Sequence, residues 1–172
     1  MVIDRSSDGF RLAGVFQVFV PLVTTLVSVL LTQLPFGSWA GFSVTPALGL
    51  VALFFWALFR PSLLPPLLVF FIGLYHDLLS AGPLGLWTLT YLVFYGYFVE
   101  RRTFYVGRTF QSLWFAFVVG VVIAGFVIWA VSSLFHYSLL SPVPVITQGL
   151  ATMLVYPFWA RVLMIFNRMI GH

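Results

Sequence analysis

The arginines of this chain stand only in alternate gaps between long apolar runs. Arg5 and Arg11 precede the first run, Arg60 separates the second from the third, and Arg101, Arg102 and Arg108 separate the fourth from the fifth. Arg161 and Arg168 close the chain. The intervening connections, "PFGSWAGFS", "AGP" and "HYSLLSPVP", carry no arginine, and lysine is absent throughout. An α-helix needs ~20 apolar residues to cross the hydrocarbon core of a bilayer, and basic residues collect on the cytoplasmic side. The pattern therefore predicts an even number of crossings, with both termini in the cytoplasm.

Composition forces lipid as the solvent. Of 172 residues 62% are hydrophobic and only 7% charged, and the mean hydropathy is +1.09. A soluble fold of this length has no interior large enough to hide so much apolar surface. The net charge of +4 comes from arginines scattered at the ends of apolar runs, which is a membrane-orienting arrangement and not a nucleic-acid patch. Cysteine is absent, which excludes disulfides and thiolate chemistry. The polar start "MVIDRSSDGFRLAG" leads into an apolar run too long for a signal-peptide core and lacking a small-residue cleavage site, so the first span is expected to be retained.

Six spans are predicted, over 13–34, 44–59, 62–79, 84–99, 110–135 and 145–166. Helices satisfy their own backbone hydrogen bonds, as lipid demands. Too little chain remains for a soluble domain, so residues 1–172 form one all-α polytopic six-helix transmembrane bundle. The second and fourth runs are short and call for a locally thinned bilayer or interfacial extension. Pro61, Pro65 and Pro66 fall at the first turn of the third helix, and Pro83 and Pro144 at the starts of the fourth and sixth. Pro21 and Pro157 lie inside helices and should kink them, with neighbours satisfying the freed carbonyls. Trp39, Trp56, Trp87, Tyr105 and Tyr137 are placed as an interfacial aromatic belt.

Polar residues are so rare that each needs a reason. Asp77, one of four acids, lies in "GLYHDLLSAGPLGLW". Counted from Arg60 at ~1.5 Å per residue, it comes near the outer face of the membrane, where a carboxylate is less costly than at the centre. Beyond it, the first-turn amides of Leu84, Gly85 and Leu86 present unpaired donors at the positive end of a helix dipole. Asp77 and Ser80 are expected to cap that helix and fix the hairpin; contact with a partner helix and proton or ion transfer are the other roles open to the acid. His76 reads as an interfacial polar residue, and His76, His136 and His172 cannot assemble a metal site. Glu100 pairs with Arg101 or Arg102 or stays solvated. Gln17 and Gln148 are amides able to bond across helices for ~1 kcal/mol. Gly120 and Ala124 make a small-residue pair that permits close helix contact, and "ERRTFYVGR" reads as a basic, aromatic anchor at the lipid surface.

No P-loop, Gly-x-Ser-x-Gly, His-Glu-x-x-His or paired carboxylates occur, and mid-span positions offer hydroxyls such as Thr24 and Thr25 in place of the ionisable groups of an ion-coupled transporter. No catalytic, cofactor or metal residues are assigned. Packing and partner binding remain.

Residues 54–87, "FWALFRPSLLPPLLVFFIGLYHDLLSAGPLGLW", resemble the signature region of the MreD family of bacterial rod-shape-determining membrane proteins. The matching positions are Arg60, Pro61, Gly73, Leu74, Asp77, Pro83, Leu84 and Gly85. The segment 141–163, "SPVPVITQGLATMLVYPFWARVL", is similar to the family's last helix, with Gln148 and Pro157 matching. The resemblance implies a non-enzymatic scaffold of the elongation (rod) complex in the bacterial inner membrane, which binds MreC, a single-span protein, and supports peptidoglycan synthesis and rod cell shape. MreB, RodA and its transpeptidase partner are the further associates it implies, with membrane lipids around them and no nucleic acid. The family is also similar to the six-helix substrate-binding component of energy-coupling-factor transporters, so a vitamin-type small-molecule carrier is the alternative, with Trp39, Trp87, Gln148 and Tyr137 converging on its cavity. Arg60, Pro61, Asp77, Ser80, Pro83, Gly85, Gln148 and Pro157 are the candidates for structural or partner contact.

Overall fold

In the computed structural model, residues 5–34, 38–39, 42–43, 45–80 and 82–170 are described. His172 and the side chains of Arg5, Arg11, Gln17 and Trp39 lie outside that part. The chain is all-helical: α1 (Arg5–Thr32), α2 (Leu48–Phe59), α3 (Pro66–Ser80), α4 (Leu86–Glu100), a single turn α5 (Arg102–Tyr105), α6 (Phe110–Phe135) and α7 (Val143–Ile170). A 3-10 turn, Pro61–Leu63, precedes α3. In the α1–α2 connection two residue pairs form an antiparallel ladder, Ser38 opposite Ser43 and Trp39 opposite Phe42.

Six of these helices overlap the predicted spans, and the differences at their ends have local causes. α3 begins at Pro66, not 62, because Leu64 precedes Pro65 and a residue before proline is held out of the α region. α4 begins at Leu86 and not 84, because Gly85 adopts φ +95°. Pro83 thus stands before α4, where its carbonyl accepts the Leu86 N–H at 3.2 Å. Among the described residues, two helices are long and apolar enough to cross a membrane, Phe110–Phe135 and Val143–Arg168. The 12-residue α2 rises only about 18 Å.

α2 occupies the centre. Every residue from Leu48 to Leu58 is buried, and the helix packs on α1, α4 and α7. A helix that is apolar on all sides belongs inside a bundle. Phe54 is the hub: its ring lies 4.7 Å from Phe98 of α4, 5.2 Å from Phe117 of α6 and 5.7 Å from Tyr156 of α7. Edge-on aromatic contacts of this kind add about 0.5–1.5 kcal/mol each beyond area burial. Gly120 makes the approach possible, since a Cβ there would stand 2.5 Å from the Phe98 ring. Trp56 and Trp87 belong to this interior and not to an exposed aromatic belt, since they are only 0% and 7% exposed.

The buried start of α2 has no cap of its own. Its amides are served from two other helices: Ala47 N–H donates to Thr152 Oγ1 of α7 at 2.9 Å, and Leu48 N–H to Thr32 Oγ1 of α1 at 3.1 Å. Both hydroxyls donate onward to carbonyls one turn back, Gln148 and Ser28. At the far end of α2, Arg102 Nε donates to the Leu58 carbonyl at 2.8 Å. The arginine-bearing connections after α2 and α4 therefore meet at one end of the bundle.

Candidate functional site

The α3–α4 hairpin brings together most of the polar groups singled out in the sequence. Asp77 is 1% exposed. Its Oδ1 accepts the Trp87 N–H at 2.7 Å. Its Oδ2 accepts Gly85 N–H at 3.0 Å, Thr88 N–H at 3.2 Å and Thr88 Oγ1–H at 2.6 Å. One carboxylate thus holds the opening turn of α4, where unpaired amides and the helix dipole favour negative charge. The donors are Gly85, Trp87 and Thr88 and not the trio Leu84, Gly85 and Leu86. Leu86 is already taken by the Pro83 carbonyl, and the left-handed Gly85 rotates the next turn toward the acid.

Two glycines make the joint possible. At Gly85 the positive φ is one an L side chain rarely adopts. At Gly73 the reason is contact: a Cβ would lie 2.5 Å from Thr88 Cα, so α3 and α4 touch backbone to backbone beside the carboxylate.

His76 is enclosed by the protein. It is 1% exposed, stacks on Trp87 at 4.0 Å, and its Nδ1 is hydrogen-bonded to Tyr91 Oη at 2.7 Å. The Tyr91 hydroxyl in turn abuts Gly49 of α2, where any side chain would collide with it. The His76–Tyr91 pair therefore links the hairpin to the central helix.

The remaining candidates are dispersed. Ser80 does not reach α4; its Oγ donates to the Asp77 backbone carbonyl at 3.3 Å. Arg60 ends α2, its N–H bonding to the Trp56 carbonyl at 3.0 Å. Pro61 opens the 3-10 turn, and its carbonyl accepts the Tyr95 hydroxyl at 3.2 Å. The Gln148 side chain makes no hydrogen bond to another helix among the described residues; Thr152, one turn on, makes the interhelical bond instead. Pro157 lies inside the continuous α7, and the carbonyl it frees, that of Met153, accepts the Trp114 indole N–H at 3.4 Å. Glu100 is exposed. Its neighbour Arg101 lies over the Tyr97 ring at 4.3 Å and Arg102 turns to Leu58.

Thr24 and Thr25 stand out in the sequence as mid-span hydroxyls, but the interhelical bonds made by the hydroxyl stripe on α1 do not. Thr24 accepts the Trp56 indole N–H at 3.1 Å and Ser28 accepts that of Trp159 at 3.0 Å. Together with Thr32, these groups join α1 to α2 and α7. The three-to-four-residue spacing in "TTLVSVLLT" is the signal that marks them.

Of the residues expected to converge on a small-molecule cavity, the described three do not do so. Trp87 is packed beneath His76, Gln148 borders a small void between α2, α6 and α7, and Tyr137 is 95% exposed. An apolar groove of about 490 Å³ lies between α6 and α7, lined among others by Val122, Gly125, Trp129, Ile146 and Gly149. Comparison with protein-family models, characterised proteins and solved structures finds no match for this chain.

Proposed function

We propose that the protein is a non-enzymatic membrane scaffold of the MreD type, which seats the transmembrane helix of an MreC-like single-span partner within the peptidoglycan-elongating complex of a bacterial inner membrane. The observation that carries the reading is the α3–α4 joint. Gly73, Asp77 and Gly85, three of the positions that carry the family resemblance, each have a separate physical task in that one joint. The joint makes a rigid platform, because four donors hold the carboxylate in place.

The α6–α7 groove supplies the seat. Lipid gives helices no hydrophobic reason to associate, so close packing along small residues is the available drive. Gly125 and Gly149 leave that surface concave, while Val122, Phe126, Ile146 and Leu150 stand exposed around it. The basic connections at the opposite end from the Asp77 hairpin then face the anionic cytoplasmic leaflet, with both termini on that side.

Coexpression of the tagged chain with the MreC-like protein tests the proposal. The partner is expected to copurify, and Val122→Trp, which fills the groove from an exposed position, is expected to reduce the yield at least tenfold with unchanged thermal melting. Undiminished copurification with Val122→Trp would remove the groove from the mechanism. No copurification with the unaltered chain would remove the function.

A further inference from the structure

A second concavity, of about 360 Å³, lies where α5 meets α6, and its lining changes character along its length. At one end are Arg108 and Ser112. The Arg108 guanidinium sits 4.9 Å from the centre of the Phe104 ring, and its Nε donates to the Phe104 carbonyl at 3.3 Å. These two contacts use Nε and one face of the guanidinium, and no hydrogen bond within the described residues takes its terminal N–H donors. Ser112 Oγ is 3.1 Å from Thr109 Oγ1, adding hydroxyls beside the charge. No acid pairs with Arg108 among the described residues.

From there the lining becomes apolar. Phe115, Ala116 and Val119 continue from Ser112 at helical spacing, over about 10 Å of α6. The buried Ala116 forms a floor, with the exposed Phe104, Phe115 and Val119 around it. An anion-binding head joined to an apolar trough has the polarity of a single phospholipid molecule.

We propose that this groove is a discrete site for one anionic phospholipid, with the phosphate-bearing head on Arg108 and Ser112 and the first part of an acyl chain over Ala116 between Phe115 and Val119. Charge complementarity selects an anionic head, and the apolar floor selects a lipid over free phosphate. The inference rests on the membrane reading of the chain but is independent of any protein partner.

Native mass spectrometry of the detergent-purified protein, titrated with phosphatidylglycerol or with phosphatidylcholine of the same chains, reads the site directly. The first bound phosphatidylglycerol is expected to be held about fivefold more tightly than phosphatidylcholine, the contribution of one arginine beside an anionic head. R108Q should abolish that preference, whereas R161Q, on α7, should keep it. A116F, which fills the floor, should weaken both lipids together. Inorganic phosphate alone, at the same concentration, should not displace the bound lipid.

Equal affinity for the two lipids in the unaltered chain, or a preference that survives R108Q, would overturn the proposal. Displacement by phosphate would also overturn it, since the trough would then contribute nothing. The membrane reading is tested apart from this, by whether the expressed chain leaves the membrane fraction only with detergent.

Discussion

Replacing Asp77 by Ala and by Asn separates its geometry from its charge. Alanine leaves three backbone donors, on Gly85, Trp87 and Thr88, without their acceptor. Trp87 and Thr88 are buried, and an unpaired buried donor costs about 1–3 kcal/mol, so the two together give a loss of about 4 kcal/mol. Gly85 is only partly covered, so its donor is not counted. Asparagine keeps one carbonyl oxygen. Placed where Oδ2 stands, that oxygen still receives Gly85 and Thr88, while the amide nitrogen opposes the Trp87 N–H. One donor is lost, and with it the attraction between a negative charge and a helix start, for a total of about 2–3 kcal/mol. The difference between the variants, about 1–2 kcal/mol, is roughly tenfold in the unfolding equilibrium. Unfolding in mixed micelles of increasing denaturing-detergent fraction, followed by tryptophan fluorescence, measures both, and Trp87 reports from beside the site. Equal losses in the two variants would show that charge alone matters and refute the capping argument. A loss below about 1 kcal/mol in the alanine variant would refute the burial argument.

The same assay checks the other parts of the scaffold. Gly85→Ala should cost about 1–2 kcal/mol from backbone strain alone, since no neighbour stands within 4 Å of the added Cβ. Gly73→Ala should cost about 2–3 kcal/mol because the added carbon meets the Thr88 backbone; the reverse order would count against a close α3–α4 contact. At the start of α2, Thr152→Val should cost about 1–2 kcal/mol. Thr32→Val should cost less, because the Leu48 N–H also bonds to the Pro46 carbonyl at 2.9 Å; equal losses would show that the Pro46 bond contributes nothing.

Much of this arrangement was open to reading along the chain. Apolar run lengths mark six helices because a helix in an apolar medium is a local solution, satisfying its backbone within one segment. Asp77 announces itself because an acid among leucines must be compensated, and the nearby Pro83-Leu84-Gly85 supplies a helix start eight to eleven residues on. Helix lengths were less legible. The proline and glycine that trim α3 and α4 act through backbone angles, and hydropathy does not register those angles.

His76 shows where local reading stops. Composition makes a histidine beside a predicted interface a surface group, yet Trp87 and Tyr91 enclose it once α3 and α4 pack. Thr152 shows it again: nothing within α7 says that its hydroxyl binds the N-cap amide of a helix, 105 positions earlier in the chain. By itself the sequence determined that the chain is helical, that its basic residues alternate with its apolar runs, and that Asp77 needs donors. Only the tertiary structure decided which donors those are, that α2 is the central helix, and which hydroxyls close its buried end. Helix formation and charge placement are set by neighbours along the chain, whereas a buried polar group is satisfied by whichever segment packing brings within about 3 Å.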